Sequence, residues 1–311
     1  MRHNDKDFDD LALTPELFDG KHQVIPIVSG GDDTIEEVNL PEVLPILTLR
    51  SSVIFPGSVT PITVGRAKSI ALVRAVEAGN KLLGAVLQVD GSVEDPQPND
   101  MHKVGTSARI LKVLEMPNGN LTVILAGLEK IEVGEYISTQ PYFKATITPI
   151  KDTTPDPKNV EFTALVDSIK EVALNIINIS PLMPKEAAFA IKNLDSSRAI
   201  INFICSNMDL TDDDRQQLLE APGLLARSRR LLEILVREQQ LAEIKNDIQK
   251  RVKQDIDKQQ KDYYLQQQMR VIQDELGDGM DADVERMREA AKSKKWAKST
   301  AELFEKEVAK L

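Results

Sequence analysis

The residues of this chain that could do chemistry occur mostly as near misses. Gly79-Asn80-Lys81-Leu82-Leu83-Gly84 has the glycine spacing of a phosphate-binding loop, yet Ala85-Val86 stand where lysine and serine or threonine must be. Without that lysine no cation reaches the phosphates, and the segment reads as a helix-to-strand turn. Gly277-Asp278-Gly279-Met280-Asp281-Ala282 spells GxGxxA but follows a helical pattern rather than a strand, which removes the dinucleotide reading. VIQDEL has the letters of a metal-binding strand end and the periodicity of a helix. His3, His22 and His102 lack metal-ligand spacing. Cys205 lies within IINFICSNM, on an apolar helix face, where a buried structural thiol is expected. Asp212-Asp213-Asp214 suits the positive end of a helix better than a catalytic dyad. No glycine elbow marks a serine as nucleophile. The expectation is no catalytic, cofactor or metal residue at all.

What remains is contact chemistry. Two of the four tyrosines adjoin in KDYYLQQQMRVIQDELGD, residues 261–278. Upstream, Leu241, Ile244, Ile248, Val252 and Ile256 recur every three or four positions and make one narrow helical stripe, which Tyr263 continues. Leu265, Met269, Ile272 and Leu276 form a second stripe, rotated by roughly 120° on the helical wheel. Tyr263 and Tyr264 sit at the changeover, as two amphipathic rings whose hydroxyls tolerate a wet interface. This pattern predicts a helix that passes from one packing partner to another. A curved surface helix wrapping its own domain, with the rings partly in the core, accounts for it equally well. Tyr263, Tyr264 and Met269 are the contact candidates here; Phe55 and Pro56, at a turn in the preceding region, are two more, and Phe55, Pro56 and Met269 read as simple core before they read as contacts.

The elements that must position these residues fall into distinct regions. Residues 1–40 are polar and acidic, without periodicity, and read as a disordered tail with one weak helical turn near Thr14-Pro15. From 41 to 150 the chain reads as β-rich. LPILTLR, VTPITVG, LLGAVLQV and YFKATITPI have strand character, AKSIALVRAVEAGN is a short amphipathic helix with Gly79 at C′, and Asn118-Gly119 predicts a type I′ hairpin turn. The proline-rich KDTTPDP, residues 151–157, is the expected domain boundary. After it come three helices and then DDDRQQLLE, N-capped by Asp209 or Thr211, in a bundle over 158–222. Between Gly223 and Gly277 no Gly or Pro interrupts the chain. One long helix is expected over 223–277, its residues 224–276 spanning roughly 80 Å, with a helical segment over 278–311.

Net charge of −10 speaks against nucleic acid as the partner of this region. No apolar run reaches the length of a membrane span, MRHNDKDFDD is no secretory signal, and a single cysteine forms no internal disulfide. These features point to the cytosol.

Three segments together carry a family resemblance. LPILTLRSSVIFPGSVTPITVGRAKSIALVRAV resembles the start of the substrate-binding domain of the ATP-dependent Lon proteases, including a Val-Gly-Arg-x-x-Ser-Ile helix start at which Arg66, Lys68 and Ser69 match. GTSARILKVLEMPNGNLTVILAGLEKI resembles its later hairpin, with the dipeptide Gly127-Leu128. DYYLQQQMRVIQDELGD is similar to the family's Tyr-Tyr-Leu, Gln-Met, Ile-Gln and Glu-Leu-Gly signature. The resemblance covers about residues 42–311. It implies an α+β architecture, with a β-rich pseudo-barrel that contacts unfolded or misfolded proteins, a helical part, and a long helix that helps a homo-oligomer, six subunits in the family, to assemble. It also implies a parent chain continuing into an ATPase module using ATP and magnesium and a serine protease module with a Ser-Lys dyad. None of those motifs can be placed on this sequence, so neither activity is expected of it. Arg66, Lys68 and Ser69 read as a helix start rather than a site. The rival expectation is a self-associating helical scaffold that binds no substrate.

Overall fold

A computed structural model describes residues 39–156, 158–180 and 183–309, and the side chains within those ranges except at 274 and 276–282. The acidic tail, with the turn expected near Thr14-Pro15, lies outside them. The described chain forms two compact units, divided between residues 243 and 244.

In the first unit six strands, β1 (Val43–Leu49), β2 (Val59–Val64), β3 (Leu82–Leu87), β4 (Val104–Glu115), β5 (Leu121–Ser138) and β6 (Lys144–Pro149), form one mixed sheet in the order β2-β5-β4-β3-β1-β6. Only β1 and β3 run parallel. The second half of β5 also pairs with β6, so β5-β4-β3-β1-β6 closes on itself, and the pseudo-barrel is real. Closure requires curvature, and β5 supplies it through register shifts against both β4 and β6. Period-two alternation sorts the side chains. Leu47, Leu49, Leu83, Ala85 and Leu87 join one core with Leu72, Val73 and Val76 of α1 (Ala67–Glu77); Leu44, Ile46, Leu82 and Val86 join a second with Ile131, Val133, Phe143, Ala145 and Ile147.

Two turns depart from expectation. Only Gly119, with φ 81°, is left-handed in the β4–β5 hairpin, and its N–H donates to the Met116 carbonyl at 2.9 Å. Pro117 presets the first corner of a type I turn, which Gly119 follows as the left-handed residue. The type I′ reading of Asn118-Gly119 therefore gives way to a three-residue loop. At the end of α1 the positive φ falls on Lys81 rather than Gly79. The N–H groups of Gly79 and Lys81 both donate to the Val76 carbonyl, which tightens the chain into β3.

The helices follow their caps. Asn159 accepts from Phe162 N–H at the start of α2 (Val160–Ile179), and α3 (Lys185–Asn193) packs against it. Ser196 caps α4 (Ser197–Asn207), and Thr211 rather than Asp209 caps α5 (Asp212–Glu220). From Leu224 a single helix, α6, runs to Lys292, well past the expected end at Leu276–Gly277. Gly277 and Gly279 lie inside it; a glycine costs a helix roughly 1 kcal/mol, which is too little to end one when both flanks are good helix formers. α7 (Lys298–Val308) follows.

The proline-rich segment 151–157 turns out not to divide the chain into separate bodies. The core that contains Leu47 and Leu83 continues through Phe162, Ile201, Phe203, Leu218, Leu231 and Leu235. The Asp152 side chain is buried and lies 3.0 Å from Lys130 Nζ of β5 and 2.7 Å from Arg227 Nη2 of α6, as close charge contacts. Lys130 also donates to the Ala221 carbonyl, and Arg227 donates to Leu218 O and Asn202 Oδ1. Asn202 in turn donates to the Pro56 carbonyl at 2.9 Å. Gly223, with φ 141°, lets Thr153 pass where a β-carbon would collide with its hydroxyl. Strand, linker, α4, α5 and the first turn of α6 thus share one polar joint.

Candidate functional site

Phe55, a contact candidate that also reads as simple core, is wholly buried in the first core. Its turn is fixed by Ser58 Oγ, which donates to Phe55 O at 2.7 Å and accepts from Phe55 N–H at 3.2 Å. Gly127 lies directly beneath, where a β-carbon would stand 2.3 Å from the Phe55 carbonyl oxygen. The Phe-Pro turn and the Gly-Leu dipeptide are therefore two halves of one packing contact. Phe55 is corrected from contact residue to core, because an apolar ring at a turn that folds back onto the sheet has nowhere drier to go. Pro56 is half-buried and offers its carbonyl to Asn202.

On α6 the tyrosines are open: Tyr263 is 68% exposed, Tyr264 62% and Met269 60%. Leu241, Ile244, Ile248, Val252, Ile256, Leu265 and Ile272 are exposed as well. Gln268 Nε2 donates to the Tyr264 hydroxyl at 3.1 Å, one turn along the helix. Neither ring belongs to a hydrophobic core among the described residues, which runs against the reading that places them partly in the core. Elsewhere in the second unit, Trp296 and Phe304 stack edge to face with centroids 4.9 Å apart.

A concave site that the sequence did not mark lies at the head of α1. Ile46, Leu72, Tyr142 and Phe143 give it apolar walls; Arg66, Ala67, Lys68 and Ser69 form one end; Glu94, Asp95 and Pro96 bound it from a loop. Its volume is about 210 Å³. Arg66 reaches back to Gln88 Oε1 at 2.7 Å and the Val93 carbonyl at 3.0 Å, which ties that loop to the helix start. Burial, and then the neighbouring Arg50 charge, lower the Arg66 guanidinium from its ordinary value against the opposing pull of Asp95 and Glu94. Lys68 bridges to Asp95 at 2.7 Å and lies 5.4 Å from the centroid of the Phe143 ring. The segments meeting here are separated by up to about a hundred residues, so no local spacing could reveal the site. The helix-start pattern Arg66, Lys68, Ser69 was the one available signal.

Chemically the groove can hold and orient a chain, and its Lys68 and Asp95 are engaged with each other. Burial pushes the Cys205 thiol up to about 12, out of reach of thiolate chemistry. Asp214 is occupied by the Thr211 hydroxyl at 2.8 Å and Arg237 at 2.7 Å, as a helix-start carboxylate. Among the described residues no His, Cys, Asp and Glu group has the arrangement of a metal site, and no helix is long and apolar enough to cross a membrane.

Residues 43–237 match the ATP-dependent protease La (LON) substrate-binding domain. The chain is 46% identical over 307 residues to the Lon protease of Flavobacterium johnsoniae, covering 97% of this chain and 37% of that protein. It is 40% identical over 303 residues to the Lon protease of Parabacteroides distasonis, covering 95% and 37%. It thus spans little more than a third of the length of these relatives. In fold it is similar to the N-terminal domain of Mycobacterium avium complex Lon protease, with a TM-score of 0.52 at 21% identity over 62% of this chain and 98% of that one. Barrel, helical bundle, long helix and matched sequence agree, and the chain belongs to the Lon protease family.

Proposed function

We propose that this chain captures unfolded or misfolded polypeptides, and regulatory proteins that expose similar stretches, for an ATP-dependent serine protease of which it is the N-terminal region. The observation that carries this reading is the apolar groove of Ile46, Leu72, Tyr142 and Phe143, inside the segment that matches a substrate-binding domain. A concave apolar surface with few polar groups recognises exposed hydrophobic side chains without a strict motif. In the parent, ATP and magnesium drive a downstream motor and a Ser-Lys dyad cuts the chain, in a cytosolic hexamer that α6 helps to hold together. The acidic balance, a net charge of −10, speaks against nucleic acid as the partner of this region.

A second reading, a self-associating scaffold, draws support from the exposed apolar residues of α6. The test measures binding of a permanently unfolded protein to the 311-residue chain without nucleotide. Micromolar affinity is expected, and no binding at high micromolar concentration counts against capture. Deleting residues 244–311 separates the two readings. Capture survives this deletion if the groove is responsible, whereas loss of binding together with self-association favours the scaffold.

A further inference from the structure

The head of α1 presents hydrogen-bond donors to the groove without matching acceptors. Arg66, the N-cap residue, spends its guanidinium on Thr48, Gln88 and Val93, so no side chain caps the helix, and the first turn has no acidic residue. Ile70 N–H donates to the Arg66 carbonyl, but the N–H groups of Ala67, Lys68 and Ser69 come before it and have no acceptor among the described residues. Ser69 supplies a second, independent sign. It is only 8% exposed, it lines the groove, and its hydroxyl has no partner among the described residues. What accessibility Ser69 keeps faces the groove, so its hydroxyl is a donor that a bound group can use.

We propose that the head of α1 is a carboxylate subsite that receives the free C-terminus of an unfolded polypeptide whose last residue is apolar. The inference rests on the capture reading above and specifies which part of a substrate is held. The Ser69 hydroxyl and the first-turn N–H groups donate to the carboxylate oxygens and the positive end of the helix favours the charge, while Arg66 and Lys68 offset Glu94 and Asp95 at the rim. The last side chain lies against Ile46, Leu72 and Phe143. A C-terminal residue fits this arrangement because its carboxylate and side chain leave the same carbon, as donors and apolar wall adjoin here. A carboxylate within an acidic stretch fits badly, since Glu94 and Asp95 bound the same groove and repel it. The volume of about 210 Å³ lies below the range of roughly 300–1,000 Å³ typical of drug-sized ligands and suits a chain end rather than a folded surface.

The test uses the whole chain and two labelled peptides of one sequence ending in leucine, one with a free carboxylate and one as the carboxamide, with an unfolded protein as a parallel ligand. The free acid is expected to bind about tenfold more tightly, roughly the value of one charge-assisted hydrogen bond. Ser69→Asp places a fixed carboxylate at a helix position that favours one, so the variant keeps its thermal midpoint while the preference for the acid disappears. A third peptide, amidated but carrying an internal glutamate, is expected to bind like the plain carboxamide. Equal affinity for acid and amide, with the unfolded protein still bound, overturns the subsite and leaves capture standing. Undiminished preference in Ser69→Asp, or binding of the glutamate peptide equal to that of the free acid, also overturns it. Failure of every ligand to bind defeats the capture reading itself.

Discussion

Asp152 carries an unusual share of the responsibility for how the first unit is joined. Two buried cations, Lys130 and Arg227, face one buried carboxylate, so the ionised groups sum to one positive charge. The remainder is met by the C-terminal end of α5, whose carbonyls at Leu218 and Ala221 accept from both cations and whose dipole is negative there. Removing the carboxylate leaves two like charges buried with only dipoles to hold them. Asp152→Asn is expected to destabilise the chain by about 3–5 kcal/mol in equilibrium denaturation. Lys130→Met should cost less, because Arg227 and Asp152 then remain as a neutral pair. Equal costs would show that packing, and not charge, dominates the joint. At this scale the sequence was legible only in part. It read Cys205 as a buried thiol and Asp212–Asp214 as helix-start charges, and it left Phe55 between contact and core. It gave no sign that an aspartate in a proline-rich linker is the counter-ion of residues 22 positions upstream and 75 downstream (152 − 130 and 227 − 152). Charge pairing at such separations leaves no local pattern.

At the scale of elements, legibility follows periodicity. The strands and helices of the first unit were readable because alternation and caps act over a few residues, as with Thr211 before α5 and the buried series in β1 and β3. The end of α6 was misplaced because two glycines look like a stop in sequence and cost a long helix little. The join between α5 and α6 makes a test of its own. Burial alone would raise the Asp214 carboxyl, but hydrogen bonds from Arg237 and Thr211, with the charges of Arg237 and Arg230, outweigh it and hold the group below the ordinary carboxylate range. As the pH falls, the unfolded chain takes up this proton first. The clasp therefore contributes in full above about pH 4 and its contribution drains as the pH falls through the lowered folded value. Arg237 is half exposed, so the effect is small. Arg237→Ala should cost roughly 0.5–1 kcal/mol at neutral pH and progressively less below pH 4. A cost that stays constant down to pH 2 would assign it to the aliphatic part of the arginine instead.

For the whole molecule the boundary drawn from composition, at residues 151–157, and the boundary in the structure, between 243 and 244, answer different questions. Prolines report where the backbone stops being regular; a cooperative unit ends where burial ends. Both hydrophobic cores and the Asp152 joint lie before residue 243. Beyond it, Val308 is the one buried hydrophobic residue among those described, while the tyrosine pair and its stripes are open to solvent. Helix beyond 243 is thus held by its own backbone bonds and by whatever surface those stripes meet. Because the denaturant slope m scales with the surface exposed on unfolding, a chain truncated after Glu243 should unfold in one transition. Its m should stay close to that of the full chain's main transition. Far-UV helicity of the full chain, in contrast, should be lost partly in an earlier, shallow phase that the truncated chain lacks, since a solitary helix melts with little cooperativity. A fall in m proportional to the length removed would mean that residues 244–311 bury as much surface per residue as the barrel does. The exposed stripes would then already be covered in the isolated chain, by a second copy of it.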